Sequence, residues 1–423
     1  MFRAFRTARR KSSHFALALA LAGGVALGST AFAPAAYAQD QDYSEGFVEV
    51  YQPAAALTQG DAPDYAGLRA QLPAVHAAIQ TPDDRMAAGN LTLIAGQNLD
   101  DDGLRRQGLE MMIASGKVAP EQLGSFHWYV ANFAYNAGEY AAARTSIDAA
   151  LANGYVDSDD QPQNDPEYIY MQSYIAEGNP AAALAYLTDL AETRQAAGNP
   201  LPERYLLRGL QDSYDAELAA EATDVSVLLL QANPTRQNWI NTLQVVSVLT
   251  ELEPAERVDL ARLMLATDAL TQRPEFVRFA EDLDPRIMGG EVLKVLQAGM
   301  DAGEFAADDP YYVEVRGIAE PRAAEDRRQV ATYVREGEGG DARDALATGD
   351  VLYSLEDYTQ AARFYQLAAE RGLDSNTANT RLGIALTKAG DYPAAKEAFA
   401  SVNGTREPMA RLWSVYVDTL SAQ

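Results

Sequence analysis

Only three histidines occur in the 423 residues, His14, His76 and His127, and there is no cysteine at all. That leaves almost no raw material for a histidine-based metal site or a nucleophilic triad, and none for thiol chemistry or disulfides. Acidic loops are the next candidates. Asp157-Ser158-Asp159-Asp160 has the flavour of a calcium loop, but the glycine and glutamate wanted at its sixth and twelfth positions are Pro162 and Tyr168. Asp100-Asp101-Asp102 lacks alternate spacing and reads as the start of a helix, where carboxylates complement the positive end of the dipole. Gly337-Glu338-Gly339-Gly340 is followed by Asp341, without the lysine and hydroxyl of a phosphate loop. Sixty acidic residues offer many accidental carboxylate pairs, and nothing in the sequence singles one out for hydrolysis. The residues therefore predict no catalytic site, no cofactor and no metal.

The elements that would position any site begin after a leader. Arg3, Arg6, Arg9, Arg10 and Lys11 precede an apolar run from Phe15 to Leu27, and Ala36-Tyr37-Ala38 follows. This order predicts a secretory signal peptide over residues 1–38, cleaved after Ala38 on the general export route, and a periplasmic mature chain. The run is too short to span a bilayer, and no later stretch approaches a membrane span. Removing those five basic residues takes the formal charge from -26 to -31. So acidic a surface disfavours nucleic acid and anionic membranes and favours basic or cationic partners.

From Asp64 onward apolar residues recur at helical spacing, beginning with Leu68, Leu72, Val75 and Ile79, and short Gly, Pro and Asp breaks separate the helices. Near the C-terminus a longer period appears. Gly349 and Gly383, Tyr358 and Tyr392, Ala361 and Ala395, and Tyr365 and Phe399 are each 34 residues apart. Two mid-helix glycines in register, each costing roughly 1 kcal/mol relative to alanine, point to close helix contact. Weaker copies run through Ala131, Gly138, Tyr140, Ala143, Ile147 and Ala150, and through Tyr174, Gly178, Ala183, Leu187 and Leu190. Between Glu203 and Gly303 the helical pattern persists and the longer period is lost.

A two-helix unit of 34 residues with small and large positions in this order resembles the tetratricopeptide repeat (TPR) family. The resemblance implies an all-α fold, a solenoid of helical hairpins winding as a right-handed superhelix. The expected layout is a partly ordered leader at 39–60, TPR-like repeats at 61–200, degenerate helical repeats at 201–336, a hinge at 337–341, and two regular repeats with a capping helix at 342–423. In that frame His127, Trp128, Asn132, Tyr135, Tyr170 and Tyr174 fall on inner helices and form the candidate partner-binding groove, with inter-helix packing as the competing role. The Asn and Lys clamp by which some TPR proteins hold a C-terminal carboxylate is incomplete here. Asn132 stands in place, but Trp128 and Gln172 replace its companions.

The function this implies is a non-enzymatic periplasmic scaffold that binds an envelope protein or an exported peptide. A helical solenoid that binds polysaccharide or cell wall is the alternative. A carboxylate-based hydrolase comes third.

Overall fold

Prolines in the first turn and Asp, Asn or Thr caps mark most helix starts. Thr81, Asp101, Asp165, Asn179, Asp309, Asp341, Asp357, Asp374 and Asp391 each accept a backbone N–H of the first turn. A computed structural model describes residues 41–156 and 164–422. Among the described residues there is no strand. The signal peptide, most of the leader's start and the acidic loop Asp157–Asp160 lie outside them.

The chain divides between Ser158 and Asp159 into two compact units. The first holds α1 (Glu45–Ala56), α2 (Tyr65–Ala77), α3 (Pro82–Leu99), α4 (Asp102–Ala114), α5 (Pro120–Asn136) and α6 (Tyr140–Ala152). The second begins with α7 (Pro166–Glu177), α8 (Pro180–Ala196), α9 (Glu203–Asp215), α10 (Ala219–Ala232), α11 (Arg236–Leu249), α12 (Pro254–Ala266), α13 (Arg273–Leu283) and α14 (Gly289–Asp301). It continues with α15 (Pro310–Gly339), α16 (Ala342–Ser354), α17 (Tyr358–Glu370), α18 (Ser375–Ala389), α19 (Tyr392–Ala400) and α20 (Glu407–Ser421). Within each unit every helix packs against the next in the chain, the nearest-neighbour arrangement that a TPR-like repeat requires.

The 34-residue period has a direct physical cause. A Cβ on Gly349 would stand 2.7 Å from Tyr365 Cε1, and one on Gly383 would stand 2.5 Å from Phe399 Cε1. Both pairs are the same contact, a ring of the second helix lying flat against a bare backbone of the first. Ala131 and Ile147, both fully buried, are the corresponding pair in α5 and α6. The turn inside each hairpin needs one left-handed residue, supplied by Gly138, Gly178 and Gly390, but by Glu356 at φ 71° between α16 and α17.

Three expectations change. Residues 45–56, assigned to a partly ordered leader, are helical, and Phe47 and Tyr51 are buried in the core of the first unit. The last part of the stretch assigned to degenerate repeats at 201–336 is instead a single 30-residue helix that starts at Pro310 and absorbs Pro321. The glycine-rich stretch expected as a hinge is the closing turn of that helix. Gly337 packs so tightly that a Cβ would meet Thr348 Oγ1 at 2.5 Å, and Arg371 donates to the carbonyl of Glu338 at 2.6 Å. Gly337 serves close approach there, while nothing lies near a Cβ on Gly339.

In the first unit one carboxylate ties α1 to α3. Asp84, fully buried, accepts from Ser44 N, Ser44 Oγ, Gln80 N and Thr81 N at 2.8–3.1 Å. Burial alone would raise its pKa, but these four donors outweigh it and hold it below the ordinary carboxylate value. Because the folded pKa is depressed, the stabilisation is complete above the unfolded value of about 4 and is lost as pH falls through the folded one. Asp84→Ala should cost about 2 kcal/mol at neutral pH. It should also flatten the acid limb of the stability curve of the first unit below about pH 4. Urea titrations at several pH values would check both; an unchanged acid limb would rule the assignment out.

Candidate partner-binding site

The six residues picked from the sequence fall in both units. His127, Trp128, Asn132 and Tyr135 lie on α5 in the first, and Tyr170 and Tyr174 lie on α7 in the second. Gly124 lets α5 approach the end of α6, where a Cβ would meet Asn153 O and Tyr155 N at 2.9 Å. That approach puts Trp128 flat against Tyr155, with ring centroids 5.2 Å apart and an interplanar angle of 28°. Trp128 is 5% exposed, so it packs and cannot offer a face to a partner. The Nδ2 of Asn132 donates to the Trp128 carbonyl at 2.8 Å, which leaves its carbonyl end turned outward from that bond. Tyr135 meets Tyr140 edge-on at 5.5 Å, and His127 is half-buried, its pKa pushed down by that burial. Of this set, His127, Asn132 and Tyr135 keep some exposure.

On α7, Tyr170 stacks on Tyr186 of α8 at 4.4 Å and 19°, and meets Tyr174 edge-on at 5.9 Å. Tyr186 was missed from the sequence. Its signal was available, since a tyrosine pair at i and i+4 on one helix of a hairpin needs a flat partner on the other. The nearby start of α7 is fixed by Asp165, which caps the helix and also accepts the hydroxyl of Tyr205.

The charged centre of the second unit was not foreseen. The α12 segment Val258–Met264 reads as a core helix, yet Asp259 and Arg262 within it are buried along with its apolar residues. Arg262 donates to both oxygens of Glu291 on α14 at 2.8 Å and to Asp259 at 2.9 Å, and its guanidinium lies 4.3 Å from the ring centre of Tyr353 on α16. Asp259 also accepts from Arg406 at 2.6 Å, lies 3.7 Å from Arg381 Nε on α18, and offers its carbonyl to Trp413 Nε1 on α20 at 3.3 Å. Arg381 in turn grips Asp350 of α16 at 2.6 and 2.8 Å, and Tyr365 donates to the same carboxylate at 2.9 Å. Burial would lower the pKa of Arg262, but Glu291 and Asp259 overrule it and hold the guanidinium charged.

The chain's own helix α12 is thus seated against α14, α16, α18 and α20. The first helices of the two regular hairpins, which an extended peptide would be expected to use, are occupied from within. Thr405 to Glu256, Tyr416 to the Ala266 carbonyl, and Arg411 to Asp224 of α10 extend the same closure.

No protein-family profile matches the chain, and no curated protein matches it. Solved structures do share helical architecture with it. A tetratricopeptide repeat protein from Parabacteroides merdae is 11% identical, aligned over 71% of this chain and 99% of its own, with a TM-score of 0.27. The Naa15/Naa10 complex bound to HypK-THB contains a chain 13% identical, aligned over 89% of this chain and 60% of its own, again at 0.27. Those scores are too low to carry an argument. The TPR-like assignment rests on the repeated Gly349–Tyr365 and Gly383–Phe399 contacts. No helix among the described residues is long and apolar enough to cross a membrane.

Proposed function

We propose that the chain is a non-enzymatic scaffold of the cell envelope that binds a protein or an exported peptide along α5 of its first unit. The supporting observation is the contrast between hairpins. The first helices of the regular C-terminal hairpins are covered by α12, whereas α5 carries His127, Asn132 and Tyr135 with exposure to spare. Export rests on the basic and apolar order of residues 1–38. A basic partner suits the acidic surface. A polysaccharide reading gains little from Tyr170 and Tyr186, because each spends one ring face on the other.

Capture of envelope proteins by the mature chain tests this. The Asn132→Ala, Tyr135→Ala double variant should fold normally and lose about tenfold in affinity for the captured partner, as expected for one lost anchor. Equal capture by wild type and variant would remove α5 from the reading.

A further inference from the structure

Between α11, α12 and α13 the second unit has a cavity of about 250 Å³. Its walls are apolar, built by Leu252, Leu260, Met264, Leu270 and Phe279, and Ala261 leaves room in the α12 wall. Helix α12 thus turns its charged residues Asp259 and Arg262 to one side and lines this cavity with the other. Val248 stands at the mouth with 64% of its surface exposed, so apolar surface continues outward.

The charges at the mouth are mostly spent. Arg257 is held by both oxygens of Asp282 at 2.7 and 2.9 Å. Glu275 accepts the backbone N–H groups of Thr271 and Gln272 at 2.7 and 3.0 Å, which caps the start of α13. Arg278 alone at this rim is exposed and makes no hydrogen bond or ion pair among the described residues. The cavity falls below the roughly 300 Å³ at which small-molecule sites begin, and it suits a single anchoring side chain of the kind that dominates protein interfaces.

We infer that this cavity receives one apolar side chain of a partner protein, with a carboxylate of the same segment set beside Arg278. The site lies on helices other than α5 and α7, so it stands whether or not those helices bind a partner.

The probe is N-acetyltryptophan, which carries an apolar group beside a carboxylate, titrated into the full mature chain labelled at methionine methyls. The Met264 signal, assigned with Met264→Leu, should shift and saturate in the millimolar range. N-acetyltryptophanamide, lacking the charge, should bind about two- to fivefold more weakly, the scale of one exposed ion pair. Arg278→Glu should show the same loss, and Ala261→Phe, which fills the cavity, should abolish the shift. Should Ala261→Phe unfold, the surface change Arg278→Glu keeps the test decisive. Absence of saturation, equal binding of acid and amide, or an unaltered response in both variants would overturn the assignment. Sedimentation adds a further outcome: self-association of the wild type that Arg278→Glu abolishes would make the occupant a second copy and overturn the assignment to another protein. Capture losses in the α5 variants bear on α5 alone.

Discussion

Asp259→Asn should destabilise the second unit by about 3–5 kcal/mol, the cost of breaking a buried charge network from one side. Asp259 is fully buried and faces three guanidiniums, Arg262, Arg381 and Arg406. Asparagine keeps the shape but removes the charge and one of the two accepting oxygens, which Arg262 and Arg406 each use, so an NH2 group is set against a guanidinium. Glu291 and Asp350 remain to satisfy Arg262 and Arg381, so Arg406 is left with only Glu256, whose oxygen lies 3.6 Å from its Nε. Two urea transitions are expected, one per unit, and only the transition of the second unit should move. A loss below about 1 kcal/mol would mean that water reaches the site and screens it. Replacing Asp259, Arg262, Glu291 and Arg406 together by apolar residues of similar volume, which leaves neither Asp259 nor Glu291 buried without its guanidinium, should restore much of the loss. In that view the network selects which face of α12 is seated and contributes little net stability.

The second large effect lies in the first unit, where α3 and α4 touch backbone to backbone. A Cβ on Gly108 would stand 2.6 Å from Leu93 N and 2.7 Å from Gly89 O, and one on Gly96 would stand 2.5 Å from Arg105 N. Backbone atoms cannot rotate away as a ring can. Helix propensity alone favours Gly108→Ala by about 1 kcal/mol, but the helices must separate to admit the methyl. Overpacking should win, with a net loss of about 1–3 kcal/mol. Gly317, on α15 with nothing near its missing Cβ, is the control. Gly317→Ala should stabilise by about 0.5–1 kcal/mol. Thermal or urea unfolding of the two variants would settle the signs; a stabilised Gly108→Ala would show that the close approach is not enforced.

The regular hairpins were legible because their packing repeats. Gly349 and Gly383 recur with their rings, and a recurring contact writes a period into the chain. Helices α9 to α14 were legible as helices only, since their partners differ from one to the next and no spacing recurs. Gly337 was misread because glycine serves both looseness and close approach, and only the positions of Thr348 and Phe364 distinguish the two. Trp128 was read as a groove residue because an aromatic on an inner helix looks alike whether it faces solvent or Tyr155. The charged core was not legible: Asp259 and Arg262 stand three apart in an apolar run, and both can be buried only if cations and carboxylates arrive from elsewhere. Which ones arrive, Arg406 and Glu291 among them, depends on contacts up to 147 residues distant.

That distance bears on how the chain acquires its structure. A repeat array ordinarily folds by adding neighbours, each unit resting on the last. Here the carboxylate of Asp259 gains Arg406 only after 147 further residues are in place. Until the C-terminal helix docks, α12 carries charges that oppose its burial, so the middle of the second unit stays open to proteases and chaperones. A chain cut short before Arg406 never ends that wait, and closure of the second unit becomes a test of whether its far end has been made.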